Sequence, residues 1–205
     1  MQDSQSRVRS MALVHERLYQ TEDLARINFP RYIHDLVGHL LSSYNSGTHH
    51  VELTIDADDV TLDVDTAVPC GLIINELVSN SLKHAFPRRL PTKTGGAAAV
   101  RQAVGEDQES VGHGRKDEIR IEVRTGQEGQ LKLVVGDNGV GFPEGIDFHN
   151  SPSLGLLLVN SLVRQLGGTI ELDGQGGTQF RITFSLPDRE GALDRGSQRS
   201  PRWKE

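Results

Sequence analysis

Cysteine occurs once in the 205 residues, tryptophan once, and aromatic residues make up only 5%. The single Cys70 excludes an internal disulfide and every metal motif built on several cysteines. It follows Pro69 in an apolar stretch, where a packed thiol is expected rather than a reactive one. Long apolar runs are also missing. The stretch Leu154-Gly-Leu-Leu-Leu-Val159 is far short of the ~20 residues that span a bilayer, so no membrane segment is expected. Met1-Gln-Asp-Ser-Gln-Ser6 is polar and lacks the apolar core of a signal peptide, so a cytoplasmic location is expected. An excess of basic charge is absent too. Lys and Arg number 22 against 28 Asp and Glu, a net charge of −6. That balance argues against a general nucleic-acid binder, which needs clustered cations to neutralise phosphates.

What is present reads as one good domain with an appendage. Val8, Met11, Leu13, Val14 and Leu18 recur at helical spacing and predict a helix over Arg7 to Gln20, with a break at Thr21 to Leu24. After Pro30, Tyr32, Ile33, Leu36, Val37, Leu40 and Leu41 predict a second amphipathic helix, ending near Ser42 to Gly47. His34 and His39 lie five apart, not the four that would put two imidazoles on one metal. Val51 to Ile55 alternates strictly and reads as a half-buried strand, and Val60 to Val64 as a second. An apolar helix then runs from Val68 to His84. The segment 88–117 has glycines, a run of alanines and few large apolar residues, and is expected to be a disordered insertion. Glu118 to Arg124 and Gln130 to Val135 predict a hairpin turning at Gly126 to Gly129. Phe142 to Ser153 is a polar loop and Leu154 to Leu166 a helix stopped by Gly167-Gly168. Thr169 to Asp173 and Gln179 to Leu186 predict strands around a glycine turn, and 188–205 a disordered tail. The order after the N-terminal helices is β-β-α-β-β-α-β-β. That pattern gives the α+β class, with helices on one face of a mixed sheet.

The helix from Val68 carries a chemical stripe. At ~3.6 residues per turn, Ile74, Leu77, Val78, Ser81, Leu82 and Ala85 fall on one side. Glu76, Asn80 and Lys83 fall on the other, beside Asn75 and Ser79. One carboxylate, two amides and one cation make a poor solvated coat, which normally carries paired charges. Three further features need a joint explanation with it. Asp137-Asn-Gly-Val-Gly141 follows a buried strand, so glycines let the backbone approach a ligand beside an acid. The helix from Leu154 begins at Gly155 after a loop, which offers free N–H groups to an anion. Gly174 to Thr178 supplies a second glycine turn. Together the parts suit a nucleoside triphosphate with a metal. Asp137 would accept from an exocyclic amine, Asn80 would offer an oxygen to Mg²⁺, Lys83 would meet phosphate, and Glu76 would orient or deprotonate the attacking group.

These residues resemble a known family. Asn75-Glu-Leu-Val-Ser-Asn-Ser-Leu-Lys-His84 is similar to the N box of the GHKL ATPase superfamily. Asp137 to Gly141 resembles its G1 box, Ser153-Leu-Gly-Leu156 its G2 box, and Gly176-Gly-Thr178 its last glycine box. Met11 to Tyr19 resembles the dimerisation segment of the sensor histidine kinases related to the HWE kinases. The resemblance implies a Bergerat ATP-binding fold, an α/β sandwich, with Mg-ATP as substrate. It further implies phosphoryl transfer to a histidine, relay to an Asp on a response regulator, and a homodimer through the N-terminal helices. Carried over, Asn80 is the Mg²⁺ ligand, Asp137 the adenine contact and Lys83 a phosphate contact, with Glu76 beside them as a catalytic residue. Gly139, Gly141 and Gly155 shape the pocket, Phe142 to Leu154 form the lid, and His84, Phe142, Leu154, Leu156 and Thr178 line the nucleotide. The G-x-x-x-x-G-K-[ST] phosphate loop is absent, as the resemblance requires. Residues 1–47 are expected to be a remnant of the dimerisation region and 48–187 the catalytic domain. In the family the phosphorylated histidine lies upstream of the Met11 to Tyr19 segment, so the chain is expected to be a C-terminal portion, with His15 in the second dimerisation helix. A serine kinase of the anti-sigma type and a non-catalytic ATP-binding module are the alternatives.

Overall fold

The computed structural model describes residues 26–44, 50–86, 116–143, 145–151 and 153–186. The expected helix over Arg7 to Gln20, nearly all of the insertion 88–117 and the tail 188–205 lie outside the described residues. Five strands form a mixed sheet: β2 (Glu52–Ala57), β4 (Glu118–Thr125), β5 (Gln130–Asp137), β7 (Thr178–Ser185) and β6 (Thr169–Asp173), in that spatial order. Only β2 and β4 run parallel; the other neighbours are antiparallel. Three α-helices, α1 (Phe29–Tyr44), α2 (Val64–Asn80) and α3 (Leu154–Gln165), accompany this sheet among the described residues.

Strict alternation decides which face of the sheet is covered. Ile119, Ile121 and Val123 of β4, Leu131, Leu133 and Val135 of β5, and Phe180, Ile182 and Phe184 of β7 are buried in one core with the helices. Glu118, Arg120 and Glu122, the alternate positions of β4, form ion pairs with one another on the other face. Asp137 and Thr178 share the core-facing parity and pair across the β5–β7 ladder. The same alternation that builds the core therefore delivers Asp137 to the helix side of the sheet, at the end of its strand.

Helix α2 starts earlier than the sequence pattern predicts. Val60 to Val64 was expected to be one strand and Pro69 to open the helix. Asp63 instead caps it, its side chain accepting from the Thr66 N–H at 2.7 Å, and Asp65 sits in the first turn where the helix dipole favours an acid. Pro69 lies inside the helix, where its missing N–H forgoes a single backbone bond. What remains of the expected strand is β3 (Thr61–Leu62), which pairs with β1 (Ile27–Asn28) as a separate two-stranded ribbon. The strand β1 was not predicted. Asn28, its last residue, accepts from the Arg31 N–H at 3.0 Å, capping α1.

The expected boundary at residue 47 does not separate two cores. Phe29, Ile33, Leu36 and Val37 of α1 are buried with Ile73, Ile74 and Leu77 of α2 and with the sheet. Burying side chains of this size contributes ~1.5–3 kcal/mol each, so α1 is an integral layer. The contact is close. A methyl at Gly71 of α2 would lie 2.1 Å from the Tyr32 hydroxyl oxygen, so the Tyr32 side chain occupies the space that glycine leaves. Cys70 is fully buried in this layer and burial pushes its thiol up to about 12. Alkylation by iodoacetamide should therefore be negligible in the native chain and complete after denaturation, as followed by intact mass. Fast native labelling would contradict the packing of α1 on α2.

Candidate functional site

The last turn of the α2 chain departs from α-helical winding. Ser81–Ala85 forms a π-helical turn, a rare element that widens the spiral and recurs at functional sites. Widening has a direct consequence for the stripe. Asn80, Ser81, His84 and Ala85 all reach the wall of one cavity of about 330 Å³, while Lys83 is exposed and is not part of that wall. The even 3.6-residue spacing expected for Glu76, Asn80 and Lys83 is thus not maintained. Glu76, one turn before Asn80, is buried along with Asn75 and Ser79, so the stripe runs from an interior start through half-buried Asn80 to exposed Lys83.

Opposite α2, Asp137 closes the cavity from the sheet. Its carboxylate is held by three donors. The Oδ1 atom accepts from the Gly139 N–H at 3.0 Å and the Thr178 N–H at 3.2 Å, and Oδ2 accepts from the Ser81 hydroxyl at 2.7 Å. Ser81 was assigned to the apolar side of the helix. The structure instead makes it the link between α2 and Asp137, and a hydroxyl within an otherwise apolar stripe was the signal available. Three donors leave one carboxylate lone-pair direction on Oδ2 for a ligand donor.

Glycines set how closely the backbones approach. A methyl on Gly139 would lie 2.3 Å from the Ala85 carbonyl oxygen, and that oxygen accepts from the Val140 N–H at 3.0 Å. Gly139 therefore braces the turn against the π-helical segment and does not itself line the cavity. Gly141, with φ of +84°, does line it. Phe142, Leu156, Thr178 and Phe180 complete the apolar side. Phe142 meets Phe180 edge-on at 6.0 Å between ring centres. Of the other expected residues, Gly155 is buried in the first turn of α3 and Leu154 is exposed, and neither forms the wall. Ser153, the first residue of the G2 box, and Ser151, to which the sequence gives no role, are on the wall. Further along that loop Asp147 accepts from the His149 N–H and from the Asn150 side chain, and these donors hold its carboxyl below the usual carboxylate range.

An acid at a strand end, fixed by backbone N–H groups and a hydroxyl, beside an amide and a glycine turn, can present an acceptor to a planar base. Comparison with known proteins gives the chain a family. A family model described as histidine kinase-, DNA gyrase B- and HSP90-like ATPase matches residues 65–189. The chain belongs to this ATPase family. A second model, described as histidine kinase, matches residues 1–44. The ATPase-family chain is 30% identical over 153 residues to blue-light-activated histidine kinase 2 of Erythrobacter litoralis, covering 74% of this chain and 37% of that protein. It is also 30% identical over 175 residues to the sensor histidine kinase PdtaS of Mycobacterium tuberculosis, covering 85% of this chain and 28% of that one. The chain thus spans about a third of the length of the curated relatives it matches. Among solved structures, the histidine kinase domain of the Erythrobacter litoralis EL346 blue-light activated kinase superposes with a TM-score of 0.67 at 23% identity. That match covers 89% of this chain and 74% of that one, and it shows a shared fold.

Proposed function

We propose that this chain is the ATP-binding catalytic portion of a sensor histidine kinase, transferring the γ-phosphoryl of Mg-ATP to a histidine for relay to a response regulator. The observation that carries the reading is the Asp137 carboxylate, fixed by Gly139, Thr178 and Ser81 on the wall of a cavity shared with Asn80. Asp137 receives the exocyclic amine of adenine, and Phe142, Leu156 and Phe180 supply the apolar bed for the ring. His84 and Thr178 border the nucleotide, and Gly141 lets the backbone come close. Gly155 sits in the first turn of α3, where unpaired N–H groups favour phosphate, with Leu154 at the same helix start.

The residues present fit Mg²⁺. Among the described residues no group of three or more His, Cys, Asp and Glu could cage a metal. Mg²⁺ needs no such cage, because it keeps waters and substrate phosphate oxygens and takes few protein ligands. Asn80, on the cavity wall and half-buried, is the oxygen donor we assign to it. When bound, the ion would neutralise phosphate charge. Lys83 meets phosphate as a point charge from the rim, and Glu76, one turn before Asn80, orients the attacking group. Catalysis of this kind rests mostly on positioning and charge neutralisation.

The histidine-kinase match over residues 1–44 supports this reading over the anti-sigma type of serine kinase and over a non-catalytic binding module. In the same reading, residues preceding Arg26 belong to the dimerisation region of a homodimer, and β1 and α1 belong with the catalytic core through residue 187. The partner is a receiver domain and the location cytoplasmic. Among the described residues no helix is long and apolar enough to cross a membrane.

Two measurements check the assignment. Supplying a histidine-bearing dimerisation helix and γ-labelled Mg-ATP should give an acid-labile phosphohistidine. Label on serine, or none, would contradict the kinase reading. Asn80→Ala should weaken nucleotide binding by roughly tenfold with Mg²⁺ present and leave metal-free binding nearly unchanged, the loss expected for one charged-group contact. Equal loss in both conditions would remove Asn80 from the metal.

A further inference from the structure

The loop between Phe142 and Leu154 is tied to α3 at Phe148. Asn160 of α3 is buried, and its side-chain amide donates to the Phe148 carbonyl and to the Leu156 carbonyl, both at 3.0 Å. Leu156 is one turn back on the same helix, so a single amide joins the helix to the loop. The Phe148 ring then packs edge-on against Phe180 at 5.7 Å between centres. Phe180 is a buried cavity residue and also meets Phe142. Phe142 and Phe180 thus stand on the cavity wall, and Phe148 supports that wall through its contact with Phe180 without lining the cavity itself. The helix amide fixes the backbone of Phe148, the residue that carries the supporting ring.

Nothing in the sequence reading gave Asn160 a role. A mid-helix Asn that lacked partners would be costly when buried. Its two bonds go to the loop and to the helix, and the loop bond is the one with a consequence for the cavity. We propose that Asn160 is a positioning residue for the nucleotide site, holding Phe148 against Phe180 so that the apolar wall is preformed before ligand enters. The proposal rests on the nucleotide reading of the cavity. A preformed wall lowers the ordering entropy that binding must otherwise overcome. Asn160 touches neither base nor phosphate, so its contribution falls on nucleotide affinity and not on the chemical step.

Asn160→Leu in the full chain keeps the volume and removes both donations. Titration with Mg-ATP should show an affinity weakened about three- to tenfold, the range of one net hydrogen bond, and an unchanged kcat in the phosphotransfer assay. Phe148→Leu should weaken binding similarly. The double variant should be no weaker than the worse single one, because both remove the same element. A residue with only a packing role would lower the melting temperature and leave the affinity of the folded chain at the wild-type value. That result, or additive losses in the double variant, overturns the proposal. Where Asn160→Leu does not fold, Phe148→Leu decides: weakened affinity supports the positioning role and wild-type affinity overturns it. A wild-type chain that does not bind Mg-ATP overturns the nucleotide reading itself, whereas wild-type binding with an unaltered Asn160→Leu constant overturns only the role of Asn160.

Discussion

Replacing Asp137 with Asn is expected to weaken adenine-nucleotide binding severely while leaving the fold in place. The substitution keeps the shape and one acceptor oxygen. That oxygen can still serve the Gly139 and Thr178 N–H groups, which bond Oδ1 at 3.0 and 3.2 Å. The other atom becomes an NH₂ where Oδ2 accepts from the Ser81 hydroxyl at 2.7 Å. Ser81 can turn its proton away and accept instead. The ligand amine cannot, so it would meet a donor. Losing a charge-assisted bond and leaving a donor opposed costs about 2–3 kcal/mol, roughly 30- to 150-fold in affinity. Calorimetry on the wild-type and Asp137→Asn chains checks this. Equal affinities would mean that the base lies elsewhere.

The second large effect is on stability and belongs to Gly177. Its φ is +143°, and a methyl there would lie 2.0 Å from the Asp137 carbonyl oxygen and 2.9 Å from the Asn138 Cα. Both obstacles are backbone, and both adjoin the β5–β7 ladder that pairs Asp137 with Thr178. Neither can give way without breaking that pairing. Overpacking and an unfavourable φ each cost ~1–3 kcal/mol, so Gly177→Ala should destabilise by about 2–6 kcal/mol and lose nucleotide binding with it. Gly176 is the internal control. It also has positive φ, at +75°, but nothing within 4 Å of a methyl, so Gly176→Ala should cost only about 1 kcal/mol. Urea denaturation of the two variants would separate them. Equal losses would show that backbone conformation, and not the close approach to Asp137, sets the requirement.

The sheet was legible because alternation is a strong signal over eight-residue strands. It placed β4, β5 and β7 and the strand end at which Asp137 stands. The strand β1 was not legible: two residues, Ile27 and Asn28, are too few to show a period, and their pairing with Thr61 and Leu62 is set by tertiary context. The start of α2 was misread for a related reason. The dense apolar pattern begins only at Val68, whereas Asp63 is the residue that caps.

At the site the residue types were legible and the winding was not. Asn80, His84, Asp137, Gly141, Phe142, Leu156 and Thr178 come together on one cavity as their boxes suggested. A fixed 3.6-residue period could not foresee a π-helical turn at Ser81–Ala85, because that turn answers to packing against the G1 turn through Gly139 and Val140. Hence Ser81 was placed on the wrong side and Lys83 on the cavity wall. Asn160 was invisible for a different reason: its importance lies in a carbonyl twelve residues away in sequence, which no helical period reports.

The central claim is that the cavity beside Asp137 is an adenine-nucleotide site, and base selectivity tests it most directly. Adenine presents an amine to the carboxylate, whereas guanine presents a carbonyl oxygen at the same ring position and would be repelled. Titrating the full chain with Mg-ATP and Mg-GTP under identical conditions should show ATP binding at least tenfold tighter, in keeping with the value of one charged hydrogen bond. Equal binding of the two nucleotides, or none of ATP, would contradict the account.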